Sequence, residues 1–398
     1  MNSATDLKYQ HSELATSLKS RINSIDALRG LVMLIMLVDH VRERFFLHQQ
    51  VTDPMNIQET GDGLFWSRIA AHFCAPTFVF LTGLSAWLYQ NSGNTTRPLQ
   101  KFLFTRGLFL IVLEITLVTF SWFGGYHTIY LQVIWAIGLS MIALAVMHPL
   151  GRVPVLVIGL IIVCTHNALS FISFNENQSL YSIWTILHDR GYLLKDGFIN
   201  IKVSYPSLPW IGLIFIGYGC GALYGKNTKP QSRQKYLLAM AGLTLLSFLI
   251  LRGFNLYGED YVWHTGETAL ESLKAMVNLT KYPPSLNFLL LTLTGTFLVL
   301  RLFECKLWMS NLGTKLQAVL VNFGSAPMFF YLLHLYVLLL MYKLVGLFME
   351  PNYGDYISVS NITWVWIIAL GLMVILYFPT KRFSQYKKMH KNSWTKYL

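Results

Sequence analysis

Two residues that can do acid–base work, Asp39 and His40, stand side by side in "SIDALRGLVMLIMLVDHVRERFF", residues 24 to 46. The apolar run "LVMLIMLV" stops there, far short of the roughly 20 apolar residues that a membrane-spanning helix needs. An ionisable group inside a bilayer costs about 2.5 to 3.5 kcal/mol on insertion scales, so each one in an apolar segment needs a reason. His72 in "SRIAAHFCAPTFVF", Glu114 in "LFLIVLEITLV" and His334 in "FGSAPMFFYLLHLY" raise the same question. A neutral imidazole can take a proton from a hydroxyl or an amine, and a carboxylate can orient the ring or share that proton. The set expected to do this is His40 with Asp39, His72 and Glu114. His40 and His72 each lie about 10 Å in from the outer ends of their segments at 1.5 Å per residue, a depth at which they can face each other. The competing readings are structural: histidines as interhelical hydrogen-bond partners, Glu114 as a partner of Arg106, and His334 packed among aromatics.

Arg29 and His40 are about three helical turns apart, so they share one face at a separation of about 16 Å. Asp26 lies one turn below Arg29 and can pair with it. Gly30, Met33, Leu37, His40 and Arg44 run as a stripe beside them. A cation near one membrane face and an imidazole near the other suit an acyl-CoA donor, with anionic phosphates at one end of a long arm and a thioester at the other. Arg106, Arg97 and Lys101 are further candidates for the phosphates, with solvated topology charges as their plain alternative. Arg44, Tyr282 of "KYPPSLNF" and His334 are candidate contacts for an acyl acceptor. Gln132 and Trp135 in "GGYHTIYLQVIWAIGLS" offer an amide and aromatic platform for a sugar. The plain reading of "KYPPSLNF" is a rigid helix start, because proline's missing N–H is harmless there.

The elements that must position these residues are apolar helices. The chain has 398 residues, 54% hydrophobic, 15% aromatic and only 13% charged, with a mean hydropathy of +0.46. That is the profile of an all-α polytopic membrane bundle. About ten segments can span: 26–47, 65–89, 101–121, 127–147, 152–173, 208–225, 235–252, 285–302, 324–348 and 361–380. The net charge of +12 sits in short clusters between these segments, which speaks for topology and against nucleic acid. Placing both termini in the cytoplasm puts most Lys and Arg inside, and most acidic residues then fall outside. The outer loops 174–207 and 253–284 are long enough to be functional, and "GETALESLKAMVNL" reads as a short amphipathic helix capped at Thr265. Gly217, Gly221 and Gly225 in "GYGCGALYG" read as helix-packing glycines rather than a nucleotide loop. The four cysteines show no disulfide or metal spacing, so no metal is expected. No small-residue cleavage site follows the first segment, which is expected to be retained. The chain divides into a polar tail (1–20), a transmembrane domain (21–380) and a basic tail (381–398). A proton-coupled secondary transporter, with Asp, Glu and His as its relay, is the competing class.

The segments "RINSIDALRGLVMLIMLVDH", "HFCAPTFVFLTG", "KYPPSLNFLL" and "FGSAPMFFYLLHLY" resemble bacterial membrane proteins related to heparan-alpha-glucosaminide N-acetyltransferase, over nearly the whole chain after about residue 20. The resemblance implies a multi-pass acyltransferase of the bacterial inner membrane. It would move acetyl from cytoplasmic acetyl-CoA, as co-substrate, to a saccharide hydroxyl or amine on the far side, and a homo-oligomer stays open. The Arg29 to His40 spacing is also similar to the motif of the polysaccharide O-acetylating superfamily, where the histidine is the expected catalyst. The animal lysosomal relatives instead carry Asn at the position of His40 and an essential loop histidine further on, which would point here to His48. His40 is the favoured residue, because Asp39 and its depth give it a physical reason to exist.

Overall fold

The computed structural model describes residues 3–93, 97–305 and 311–390, with residues 3–22, 311 and 388 described in backbone only. In lipid every backbone N–H and C=O must be satisfied within the segment, so apolar stretches fold as helices. The first is α1 (Ser3–Phe45). A bent helix follows, made of α2 (Asp62–His72) and α3 (Cys74–Gln90). The bend falls at Phe73, just before Pro76 takes an N–H out of the first turn of α3. Next come α4 (Leu99–Leu113), a π-helical turn at Glu114–Val118 and α5 (Thr119–Phe123). The middle of the chain forms α6 (Val133–Met147), α7 (Arg152–Thr165), α8 (Tyr181–Leu187), α9 (Leu208–Cys220), α10 (Pro230–Gly253) and α11 (Ala269–Val277). The last third supplies α12 (Leu286–Leu302), α13 (Asn311–Gly324), α14 (Pro327–Val345) and α15 (Ile362–Met389).

Each of the ten expected spans coincides with one of these helices. Seven are long and apolar enough to cross a membrane, and Leu208–Tyr224 and Leu286–Leu302 are shorter apolar helices. The tenth is the second half of α1, whose apolar run is broken by Asp39, His40, Arg42, Glu43 and Arg44. The most apolar stretch of the α2–α3 span is 67% buried inside the protein, against 22% for those of α7, α10 and α15. The α2–α3 span is therefore core, and the other three are periphery. Leu243, Val374 and Ile161, more than half exposed on the peripheral helices, are positioned for lipid to solvate.

Glycines let the central helices touch backbone to backbone. A Cβ at Gly217 of α9 would sit 2.1 Å from the Phe80 carbonyl oxygen of α3, and one at Gly221 would strike Trp87, so the glycine spacing does serve packing. A Cβ at Gly30 of α1 would meet Leu320 O at 1.9 Å, and one at Gly324 of α13 would meet Asp26 O at 1.8 Å.

Four features depart from expectation. The residues expected to begin the fourth span form β1 (Thr128–Leu131) instead. It pairs parallel with β3 (Asn200–Val203), and β2 (Gly191–Leu194) pairs antiparallel on the other side of β3, giving the order β1-β3-β2. The outer-loop helix α11 is capped at Thr268, whose side chain accepts from Glu271 N at 3.1 Å, and not at Thr265. Helix α13 is an additional element that the apolar runs did not reveal. Helix α15 continues to Met389, into the segment read as a basic tail, of which residues 391–398 lie outside the described set.

Candidate active site

The core of the site is a pair of histidines. α14 runs alongside α1 in the same direction, since His40 meets His334 and, further along both helices, the Phe45 ring meets that of Tyr342 at a centroid distance of 5.7 Å. His40 Nδ1 lies 2.7 Å from His334 Nε2, and His334 Nδ1 lies 2.7 Å from the Phe330 carbonyl oxygen. Partner chemistry assigns the protons. A carbonyl only accepts, so His334 Nδ1 carries a hydrogen and donates it. The Nε2 of neutral His334 is then an acceptor, and His40 Nδ1 must donate to it. His40 Nε2 is left with its lone pair, the tautomer a general base needs. His334 is fully buried.

Neighbouring groups hold the His40 ring. Trp122 meets it edge-on at a centroid distance of 5.0 Å and Tyr331 at 5.9 Å. Trp122 lies in the last turn of α5, where Arg44 donates to the Ser121 and Trp122 carbonyls, both at 2.9 Å, and its guanidinium lies 5.6 Å from the Trp122 ring. Carbonyls at a helix end lack intrahelical partners, so a cation there closes the helix and holds Trp122 in place. The expected acceptor contact Arg44 is thus built into the wall behind His40.

A cavity of about 330 Å³ lies below the pair. Arg29, Arg106 and Lys387 line it together with Ser85 and Tyr89, while Met36 and Tyr331 bring its wall to within a turn of His40. Between them the lining is apolar, with Met33, Phe78, Ile134, Ile137 and Met141. Arg29 donates to Asp26 at 2.7 Å and to the Ser85 hydroxyl. Two of the four expected phosphate cations therefore line the cavity. Arg97 and Lys101 lie outside the lining, although the Tyr89 hydroxyl donates to the Arg97 carbonyl at 3.1 Å. Lys387 is a cation the sequence reading assigned to a tail. Its basic neighbours hid that α15 is still helical there.

The remaining expected residues separate from this pair. Asp39 is engaged by Arg42 at 2.9 Å and Arg68 at 3.0 Å, so it neutralises guanidinium groups instead of orienting His40. Consecutive helix residues point about 100° apart, which places Asp39 off the face of its neighbour. His72 packs on Phe288 at 5.2 Å and lines a separate cavity of about 110 Å³ with Ile69, Phe73 and Leu291. The ring facing His40 is His334 and not His72. Glu114, buried in the π-helical turn, accepts from the backbone N–H of Trp135 at 3.0 Å. It closes the start of α6, whose first N–H groups have no intrahelical acceptor. Trp135 is itself buried in the core and Gln132 precedes α6 in extended conformation, so they do not form an open sugar platform. His48 stacks on Tyr353 at 3.9 Å, in the loop between α14 and α15. Tyr282 shares a hydroxyl contact of 3.1 Å with Tyr205, and its backbone N–H donates to Asp53 at 3.0 Å.

Among the described residues no cluster of His, Cys, Asp and Glu could hold a metal ion. No curated protein matches the chain. The family model described as heparan-alpha-glucosaminide N-acetyltransferase, catalytic, matches residues 21–253, from Arg29 and His40 through α10, with His334 and Lys387 beyond the matched part. With more than half of its length matched and helices suited to a bilayer, the chain belongs to the heparan-alpha-glucosaminide N-acetyltransferase catalytic family, an acetyltransferase family, and is an integral membrane protein.

Proposed function

We propose that the protein moves an acetyl group from acetyl-CoA, entering at the Arg29 end, to a saccharide hydroxyl or amine arriving from the His40 end. The observation that carries this reading is the cavity itself, with three cations at one end and the histidine pair above the other. Its volume suits the pantetheine arm, leaving the nucleotide at the mouth among Arg29, Arg106 and Lys387. That mouth faces the cytoplasm, because the Lys- and Arg-rich connections lie on its side. His40 Nε2 takes the proton of the acceptor O–H or N–H as that atom bonds to the thioester carbonyl carbon. The C–S bond then breaks, and the departing thiolate takes the proton back. His334 holds the His40 tautomer that makes the first transfer possible.

Membranes given isotope-labelled acetyl-CoA and saccharide acceptors test the reading. Label bound to saccharide is expected, and Arg29→Met should raise the KM for acetyl-CoA about tenfold with little change in kcat. Flux of unmodified substrate without label transfer would instead establish the proton-coupled transporter.

A further inference from the structure

Lys281, of the "KYPPSLNF" segment, is 4% exposed, a rare position for an ammonium without a partner. Among the described residues its nitrogen makes no hydrogen bond and no salt bridge. What it has is the face of Tyr282, with the nitrogen 5.1 Å from the ring centroid. The carboxylates around it are committed elsewhere. Asp39 is taken by Arg42 and Arg68, and Glu43 by Arg42. Asp53 accepts the backbone N–H groups of Lys281 and Tyr282 at 3.1 and 3.0 Å. A second cation, exposed Arg190, lies 4.9 Å from the same Tyr282 ring. Burial raises the Tyr282 phenol, and Lys281 and Arg68 more than offset it, leaving it below its ordinary value. The local potential is thus positive although the surrounding loops are rich in acids. Lys281 is also within electrostatic reach of both Asp39 and His40.

We propose that Lys281, with Arg190 and the Tyr205–Tyr282 hydroxyl pair, forms an anion subsite that holds a carboxylate or phosphate of the acceptor saccharide. This rests on the transferase reading for its purpose but not for its test. An oxyanion there supplies the partner that the buried ammonium lacks, and the phenols can donate to its remaining oxygens. The subsite makes the acceptor an acidic or phosphorylated sugar and lets the protein discriminate against neutral ones.

The purified protein in discs of zwitterionic lipid is unfolded thermally with glucosamine, glucosamine 6-phosphate or glucuronic acid. A saturable rise in Tm is expected with either anionic sugar and none with glucosamine. The rise should vanish in Lys281→Met, persist in Lys281→Arg and persist in His40→Ala, which separates the subsite from the acetyl transfer. Arg190→Met, at an exposed position, should fold whatever Lys281→Met does, and should raise the half-saturating concentration about tenfold, the effect of losing one charge-assisted contact. No rise with either anionic sugar, or equal rises in wild type and both Met variants, would overturn the proposal. So would a rise produced by phosphatidylglycerol in the disc without sugar, since a lipid headgroup would then be the occupant. Anion binding without acetyl transfer would sink the transferase reading alone.

Discussion

His40 and His72 are alike in sequence, each an imidazole set a similar distance inside an apolar segment, and they differ in everything around them. His40 faces a second imidazole whose far nitrogen is anchored to a carbonyl, so its proton has an assigned place. His72 faces Phe288 and a small, mostly apolar cavity, and no ring or carboxylate among the described residues hydrogen-bonds to it. Depth in the membrane therefore does not distinguish a histidine with a polar partner from one packed on an aromatic ring. The partner of the second nitrogen does, because it fixes which nitrogen can act.

Substitutions at three positions test that contrast, beginning with the largest effect. His40→Ala should lower acetyl transfer about 1,000-fold, inside the range a general base contributes, with membrane insertion and Tm retained. Full activity in this variant would remove His40 from the chemistry. His334→Phe should cost about 100-fold in kcat, below the roughly 10,000-fold that losing a charged orienting partner can cost. His334→Gln, whose amide oxygen can accept from His40 Nδ1, should recover part of that loss. A merely structural role for His334 predicts no difference between the two. His72→Phe should stay within about threefold of wild type, less than 1 kcal/mol. A loss there as large as that of His40→Ala would break the contrast.

The spans were legible because a run of apolar residues has one stable form in lipid, and the glycines spaced by four were legible because only close packing explains them. His40 drew attention through its cost in an apolar segment. Its partner was not legible, since His334 lies 294 residues away and nothing local marks the pair. Asp39 pairs with Arg42 and Arg68 and not with its neighbour, because adjacency in sequence is not adjacency on a helix. The role of Glu114 was hidden because its partner is a backbone N–H that every residue but proline owns. Helix α13 escaped because it is short and amphipathic, and its closest contact is made through backbone atoms. Lys281 looked like part of a rigid turn, and its burial became visible only once the outer loops were in place around it.

The backbone contact of Gly30 with Gly324 has a mechanical consequence. Beyond it α1 carries His40 about 15 Å further along, at 1.5 Å per residue, while α13 ends there and a short turn leads into α14, which carries His334. With a carbonyl oxygen less than 2 Å from where either Cβ would stand, one added methyl group pries the helices apart at that point. A separation of about 1 Å at that contact, passed through the turn to α14, is enough to part an N–H···N bond of 2.7 Å. The geometry of the imidazole pair is thus held from a distance, by two residues that have no side chain at all.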